Sequence, residues 1–378
     1  MRVLFTTRGS AGHVGPLVPY ATACRSAGHD VLVAAQDRFE ANVSRTGLPF
    51  APLGAPPDEE WMPLLPEFAR MRLDEGHDRM VSEFFGVLDV RAMLPGLRAL
   101  AREWRPDLIV RESWEYTSPL VAKEHGIPIA RVGLGVAAMQ DESEEPYLTS
   151  IPLTLEDPAV PLPPRTLRFR GAEVPPSAPG EGEPLVYVSF GSVTAGGHLP
   201  FYPALYRAAI EALAPLPARF LVTVGEERDH AELGALPPNV TVERWVPQDE
   251  VLHRASAVVT HGGLGSTLGA LAHGVPLVVL PLFSLDQWYN AEAVARAGAG
   301  VALDAERHTR RSVDLPDAAT LATLRPAVEH VLSDPAPRQA AMKVAAEIRG
   351  LPPVEEAVPA LETIAAQHHP SAARQDPS

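Results

Sequence analysis

A single cysteine, Cys24, stands in a chain of 378 residues. No disulfide can close within such a chain and no cysteine cage for zinc exists, which points to a reducing cytoplasm. Basic residues are also few: 32 Lys and Arg face 47 Asp and Glu, for a net charge of −15. Nucleic acid and anionic membranes are held by clustered cations, so a nucleic-acid surface and a stable membrane association are both disfavoured. No stretch approaches the roughly 20 apolar residues that cross a bilayer. The opening MRVLFTTRGSAGH reads as a strand running into a Gly-rich turn, not as a charged stretch before a long apolar run, so no signal peptide is expected. Near the start, Gly9, Gly12 and Gly15 miss the GxGxxG spacing, which leaves a hydride-transfer cofactor poorly supported.

What is present is globular: 46% hydrophobic and 21% charged residues. The length suits two domains of ordinary size. Arg2–Thr6 is an apolar run ended by Gly9, as in a buried parallel strand. Strands and helices then alternate: helix Pro16–Ala27 with Gly28 as its stop, strand Asp30–Ala35, helix Asp37–Arg45, and a strand near Phe50. Helix Leu94–Trp104 carries Pro95 in its first turn. Strand Pro106–Arg111, helix Ser118–His125 and strand Pro128–Gly133 follow. Residues 152–184 interrupt the pattern, and PPSAPGEGEP within them reads as a linker. Alternation restarts at Leu185–Phe190 and continues through Ala319–Leu332. The expected class is α/β, with two Rossmann-like domains facing a central cleft. Residues 1–170 form the first domain, 171–184 the linker and 185–352 the second domain. Residues 353–368 form a helix packing back on the first, and 369–378 a disordered tail.

The most informative stretch is THGGLGSTLGALAHGVPLVVLP, Thr260–Pro281, with RWVPQ before it and DQWYNA after it. His261 follows a strand, Gly262, Gly263 and Gly265 come next, and Ser266 and Thr267 stand at a helix start. Such a turn exposes unpaired N–H groups at the positive end of a helix dipole, a ready anion site. The rival reading is a Gly-rich connection with Ser266 as an N-cap, and Asp286–Gln287 as a pair opening a helix.

Taken together, Trp245–Asn290 resembles the nucleotide-sugar signature of the GT-B fold, family 1 glycosyltransferases, and most of all actinobacterial natural-product (antibiotic) glycosyltransferases. The resemblance implies a hexosyltransferase moving a hexose or deoxyhexose from a nucleotide sugar to a hydroxyl of a small natural product. It implies that Trp245 and the Val246 backbone meet the base, with Gln248 nearby. Ser192, His261, Gly263, Gly265, Ser266 and Thr267 would hold the diphosphate, and Asp286 and Gln287 the sugar hydroxyls. Many uridine-using relatives carry a Glu near the end of this motif that accepts from both ribose hydroxyls. This chain has Gly269 there, which points to a dTDP-sugar co-substrate.

The resemblance also makes His13, in GSAGHVGP, the general base that takes the proton of the acceptor hydroxyl. Read alone, His13 caps a helix or fills a loop. Its orienting carboxylate is sought in RPDLIVRESWEY, where Glu112, which ends a strand at the active edge, is better placed than Asp107, which opens it. Glu112 has a rival reading as a salt-bridge partner of Arg111 or Arg131. Trp61 and Phe84, in the stretch Trp61–Leu100 whose Met and aromatic residues read mostly as helix core, and Met139, in the loop after strand Pro128–Gly133, are the candidates for the acceptor wall. The transfer is expected to be inverting, and because no DxD-type pair lies in a matching place it is expected to be metal-independent, with no cofactor beyond the co-substrate. The expected partners are a small-molecule donor and acceptor, with a homodimer left open. The rival functions are an epimerase or hydrolase on the same fold, a non-enzymatic sugar-nucleotide-binding helper, and a lipid-sugar transferase, which the acidic charge disfavours.

Overall fold

The structure is a computed structural model describing residues 1–137, 143–171, 174–178, 182–191, 193–194, 199–226, 228–304 and 313–367. Met139, Ser192, part of the linker and the tail lie outside the described residues.

The chain builds two wholly parallel sheets. The first contains β1 (Arg2–Thr6), β2 (Asp30–Gln36), β3 (Phe50–Leu53), β4 (Leu108–Glu112), β5 (Ile129–Val132), β6 (Tyr147–Thr149) and β7 (Thr166–Arg168), in the order β3-β2-β1-β4-β5-β6-β7. The second contains β8 (Leu185–Ser189), β9 (Arg219–Thr223), β10 (Val240–Glu243), β11 (Ala257–Thr260), β12 (Leu277–Val279) and β13 (Gly300–Ala302), in the order β10-β9-β8-β11-β12-β13. Both are doubly wound, with helices on both faces, and together they form the two Rossmann-like halves of a GT-B fold. A strand covered on both faces must be apolar throughout: Val3, Leu4 and Phe5 of β1 and Val258 and Val259 of β11 are fully buried.

In each sheet the winding reverses once, between β1 and β4 in the first and between β8 and β11 in the second. At such a reversal the loops leaving neighbouring strands diverge and open a crevice at the carboxyl ends. Four segments follow from this geometry. Gly9–Val14 leaves β1 and Glu112 ends β4. Phe190–Gly191 leaves β8 and His261–Gly265 leaves β11.

The two halves are tied together in several places. Val136, Ile151 and Leu155, from beyond β5, pack in an apolar cluster with Val258, Leu277 and Ala293 of the second half. The Arg296 guanidinium donates to the Leu155 carbonyl at 2.9 Å. At the far end of the chain, helix Ala357–Ala366 lies on the first sheet, with Leu361, Ile364 and Ala365 in the same core as Val3, Phe5 and Val110. No helix among the described residues is long and apolar enough to cross a membrane.

Several elements differ from the reading of the sequence. β6, β7 and β13 are three-residue strands inside stretches that show no alternation, too short to carry a period. Helix Pro335–Gly350 was hidden by two prolines, yet both fall in its first turn, where a missing N–H loses nothing. The side chain of Asp334 caps it, accepting from the Ala336 N–H. Helix Val90–Trp104 begins four residues before Leu94, so Pro95 falls inside it and not in the first turn. The reason is that the chain arrives already coiled, from a ten-residue π-helix at Met80–Asp89.

Candidate active site

On the first half, β1 hands over to a tight turn. Gly9 has φ +117°, and a Cβ there would press into the Phe39 side chain at 2.5 Å. The turn starts the short helix Ala11–Val14, and the Ser10 carbonyl receives the N–H groups of His13 and Val14. His13 Nδ1 lies 2.9 Å from Glu112 Oε1. A carboxylate only accepts, so Nδ1 donates and the lone pair of Nε2 is left for chemistry. Glu112 is fully buried and also accepts from the Trp114 N–H at 2.5 Å and the Arg8 N–H at 3.4 Å. Burial alone would raise its carboxyl. The His13 ring, the Trp114 N–H and the Arg8 charge outweigh burial and hold it below the ordinary carboxylate range. Of the two rival partners of Glu112, Arg111 is engaged elsewhere. Arg111 binds Glu145 at 2.7 Å and donates to the carbonyls of Glu112, Ser113 and Glu115. Asp107 accepts from the Arg2 N–H at 2.6 Å, at the other end of the strand from Glu112.

On the second half, His261 is wedged between two glycines. A Cβ on Gly191 or on Gly263 would meet its ring at 2.6 Å, and Gly191 has φ +82°. Burial lowers the imidazole to about 4, partly opposed by a hydrogen bond with the Ser189 backbone, so the ring is neutral near pH 7. The turn is held from below, where Asn290 Nδ2 donates to the Gly262 carbonyl at 2.8 Å. Gln287 Oε1 accepts from the Leu282 and Phe283 N–H groups at 2.8 and 3.2 Å. Helix Leu264–Ala272 then begins with no side-chain cap, and Gly263, Gly265 and Ser266 at its start line the cleft. Asp286 opens helix Leu285–Arg296 and accepts from the Ser284 hydroxyl. Burial raises its carboxyl, moderated by Ser284, His77 and His13.

These two sets face one cleft of about 710 Å³. The structure brings together His13 from the first half and Gln248, His261, Gly263, Gly265, Ser266, Asp286 and Gln287 from the second, all lining it. Others of the expected set stand apart. Trp245 is 63% exposed, Val246 joins the apolar cluster of the second half, and neither lines the cleft. Thr267, expected on the diphosphate, is buried, and its hydroxyl finds no partner among the described residues. Gln287 is almost fully buried with its carbonyl oxygen engaged, so only its amide nitrogen is left to meet a ligand.

The acceptor wall also needs correction. Trp61 donates from Nε1 to Asp58 at 3.0 Å and packs on Phe84 at 5.8 Å; neither lines the cleft. Between residues 61 and 114 the cleft is lined instead by His77, Met80, Phe85 and Trp114. In an α-helix Met80 would share a face with Phe84, four residues on. In a π-helix the bonds run from i to i+5, and Met80 shares its face with Phe85. Nothing in the sequence marked that change of period. His77 meets Trp114 edge to face at 5.5 Å, and burial lowers its imidazole, with Asp286 across the cleft pulling the other way.

With this geometry in place, comparison with known proteins is decisive. Residues 22–158 match the N-terminal domain, and residues 207–364 the C-terminal domain, of the family described as erythromycin biosynthesis protein CIII-like. The elloramycin glycosyltransferase ElmGT of Streptomyces olivaceus is 34% identical over 96% of this chain and 97% of its own. The chain belongs to this family of antibiotic glycosyltransferases. The L-demethylnoviosyl transferase of Streptomyces niveus is 30% identical over 80% of the glycosyltransferase and 85% of its own length. The spinosyn rhamnosyltransferase SpnG complexed with thymidine diphosphate has the same fold, with a TM-score of 0.78 at 23% identity, over 96% of the glycosyltransferase and 100% of SpnG.

For a natural-product glycosyltransferase the two faces of the cleft make complementary chemical sense. One face carries an imidazole with a free nitrogen and a buried carboxylate behind it. The other carries fixed hydrogen-bond donors and a helix N-terminus suited to an anion. Among the described residues no group of three or more His, Cys, Asp or Glu side chains is gathered as a metal site.

Proposed function

We propose that the chain transfers a hexose, deoxyhexoses included, from a dTDP-sugar to a hydroxyl of a small natural product, with inversion and without a metal ion. The observation that carries this reading is the His13–Glu112 hydrogen bond of 2.9 Å, facing the His261–Ser266 turn across one cleft. His13 Nε2 takes the proton of the acceptor hydroxyl. The acceptor oxygen forms its bond to the anomeric carbon as the bond from that carbon to the phosphate oxygen breaks, and the electron pair leaves with the diphosphate. A single displacement of this kind inverts the anomeric centre. Glu112 stabilises the imidazolium as it forms. The charge on the leaving group is met by the Ser266 hydroxyl and the N–H groups at the start of helix Leu264–Ala272, donors fixed before the reaction begins. Donors of this kind take the place of a divalent cation. Asp286 and the Gln287 amide serve the sugar hydroxyls.

The choice of dTDP rests on Gly269. Helix Leu264–Ala272 contains no carboxylate to accept from a ribose 2′-hydroxyl. A Cβ on Gly269 would lie 3.3 Å from Leu252 Cδ1 and 3.7 Å from the Gln248 amide, so a longer side chain would displace its neighbours. A protein of the same fold binding thymidine diphosphate supports the same choice.

Two measurements test the reading. Substituting His13→Ala is expected to reduce transfer by about 10²–10⁴-fold while leaving thymidine diphosphate affinity, read by calorimetry, within about twofold. Full activity of the variant would sink the mechanism. Titration of the wild-type protein is expected to show tighter binding of thymidine diphosphate than of uridine diphosphate, and the reverse order would remove the donor assignment.

A further inference from the structure

Arg8 does not line the cleft, yet it touches what fixes the cleft's apolar wall. It stands just beyond β1, with a side chain only 11% exposed. Its Nε donates to Asp89 Oδ2 at 2.6 Å, and the other oxygen of this buried carboxylate accepts from Gln36 Nε2 at 2.7 Å. Held there, the guanidinium lies over the Phe85 ring at 3.6 Å. Phe85 in turn meets the His13 ring edge to face, with centroids 6.3 Å apart. The Arg8 main-chain N–H reaches Glu112 Oε1, the oxygen that His13 also uses. One residue therefore contacts both the carboxylate behind His13 and the ring beside it.

A buried ion pair is weak support for stability, because desolvation offsets much of the attraction; its best-attested use is to select one arrangement over others. Here the selected arrangement is the register of the π-helix Met80–Asp89, whose last residue is Asp89 and which presents Phe85 to the cleft. A flat guanidinium can bond in its plane to Asp89 while stacking its face on Phe85. A lysine ammonium can do the first and not the second.

We propose that Arg8 is a positioning residue for the transfer step: acting through Phe85, it fixes the wall beside His13 so that an acceptor hydroxyl arrives at Nε2. This rests on the reading of His13 as the base. It assigns to Arg8 no contact with either substrate.

The discriminating variant is Arg8→Lys, which keeps the charge opposite Asp89 and loses the stacking plane. Turnover is followed with dTDP-glucose as donor and, as acceptor probe, whichever of alizarin and erythronolide B the wild-type protein glycosylates faster. The expected result is a fall in kcat and a rise in acceptor KM that together lower kcat/KM for the acceptor about 10- to 100-fold. The thymidine diphosphate affinity stays within about twofold and Tm within a few degrees. Wild-type kcat and acceptor KM in Arg8→Lys would overturn the proposal, as would a loss that follows Tm or donor affinity alone. Should that variant not fold, Asp89→Asn loosens the same guanidinium and is read in the same way. Phe85→Leu closes the cycle: if Arg8 acts through Phe85, the double variant is no worse than the poorer single one, and losses that multiply count against it. His13→Ala is assayed alongside. Activity surviving in it defeats the base assignment itself, whatever the Arg8 variants do.

Discussion

His261 is a histidine that the fold keeps uncharged. Its ring, gripped by the backbones of Gly191 and Gly263, is lowered from the ordinary 6.5 to about 4. In the unfolded chain it titrates near 6.5. Between those two values the unfolded chain holds a proton that the folded chain refuses, so stability falls as the pH drops through this window. Water reaching the cleft limits the effect, which is at most roughly 3 kcal/mol. His261→Gln keeps a hydrogen-bond donor and removes the titration. Urea denaturation at pH 7 and pH 4.5 is expected to show the variant losing about 2 kcal/mol less than the wild-type protein over that interval. Equal losses would mean that the ring does become protonated in the folded state. The depressed carboxyl of Glu112 contributes stability that is lost only at lower pH, and it is common to both proteins. At this scale the polar part of the site was legible. His13, Glu112 and His261 stand beside glycines or at strand ends, where only a few side chains can face a crevice. Arg8 was not legible, because what sets it apart is the ring it stacks on, and the burial of Thr267 was not, because a motif names positions and not how deep a side chain lies.

At the scale of elements, legibility follows periodicity. β1, β11 and helix Ser118–His125 have the bounds that their apolar runs and flanking glycine or proline mark out. Where the period changes without a breaker, the reading goes astray. Met80–Asp89 contains neither proline nor a cluster of turn residues, and its apolar content fits a helix of either pitch. The choice between i+4 and i+5 is made by tertiary contacts, among them Asp89 on Arg8 and Gln36. That choice decides whether Phe84 or Phe85 lines the cleft. The apolar wall of the first half is thus written in packing and the turn of the second half in glycine spacing, which is why the turn could be placed from the sequence and the wall could not. Helix Pro335–Gly350 shows the same limit from the other direction: its prolines look like a break until Asp334 is seen capping the turn that contains them.

At the scale of the whole molecule, the chain's last helix belongs to the half in which the chain begins. Leu361 is fully buried against β-strand residues of the first sheet, more than 200 residues away in sequence, while Leu324 is fully buried in the core of the second sheet. Truncating either to alanine removes the same methyl groups and leaves a comparable void, costing about 2–5 kcal/mol. The two losses differ in where they fall. Thymidine diphosphate at about 100 times its Kd adds about 2.7 kcal/mol to whatever unit must unfold to release it. If the donor lies on the second half, nucleotide should raise the denaturation midpoint of Leu324→Ala and leave the first transition of Leu361→Ala nearly where it was, followed by tryptophan fluorescence in urea. A single transition raised equally by nucleotide in both variants would show instead that the halves unfold as one cooperative unit. In that case helix Ala357–Ala366 and the contacts beyond β5 couple them strongly enough that holding the donor also stabilises the half that carries His13.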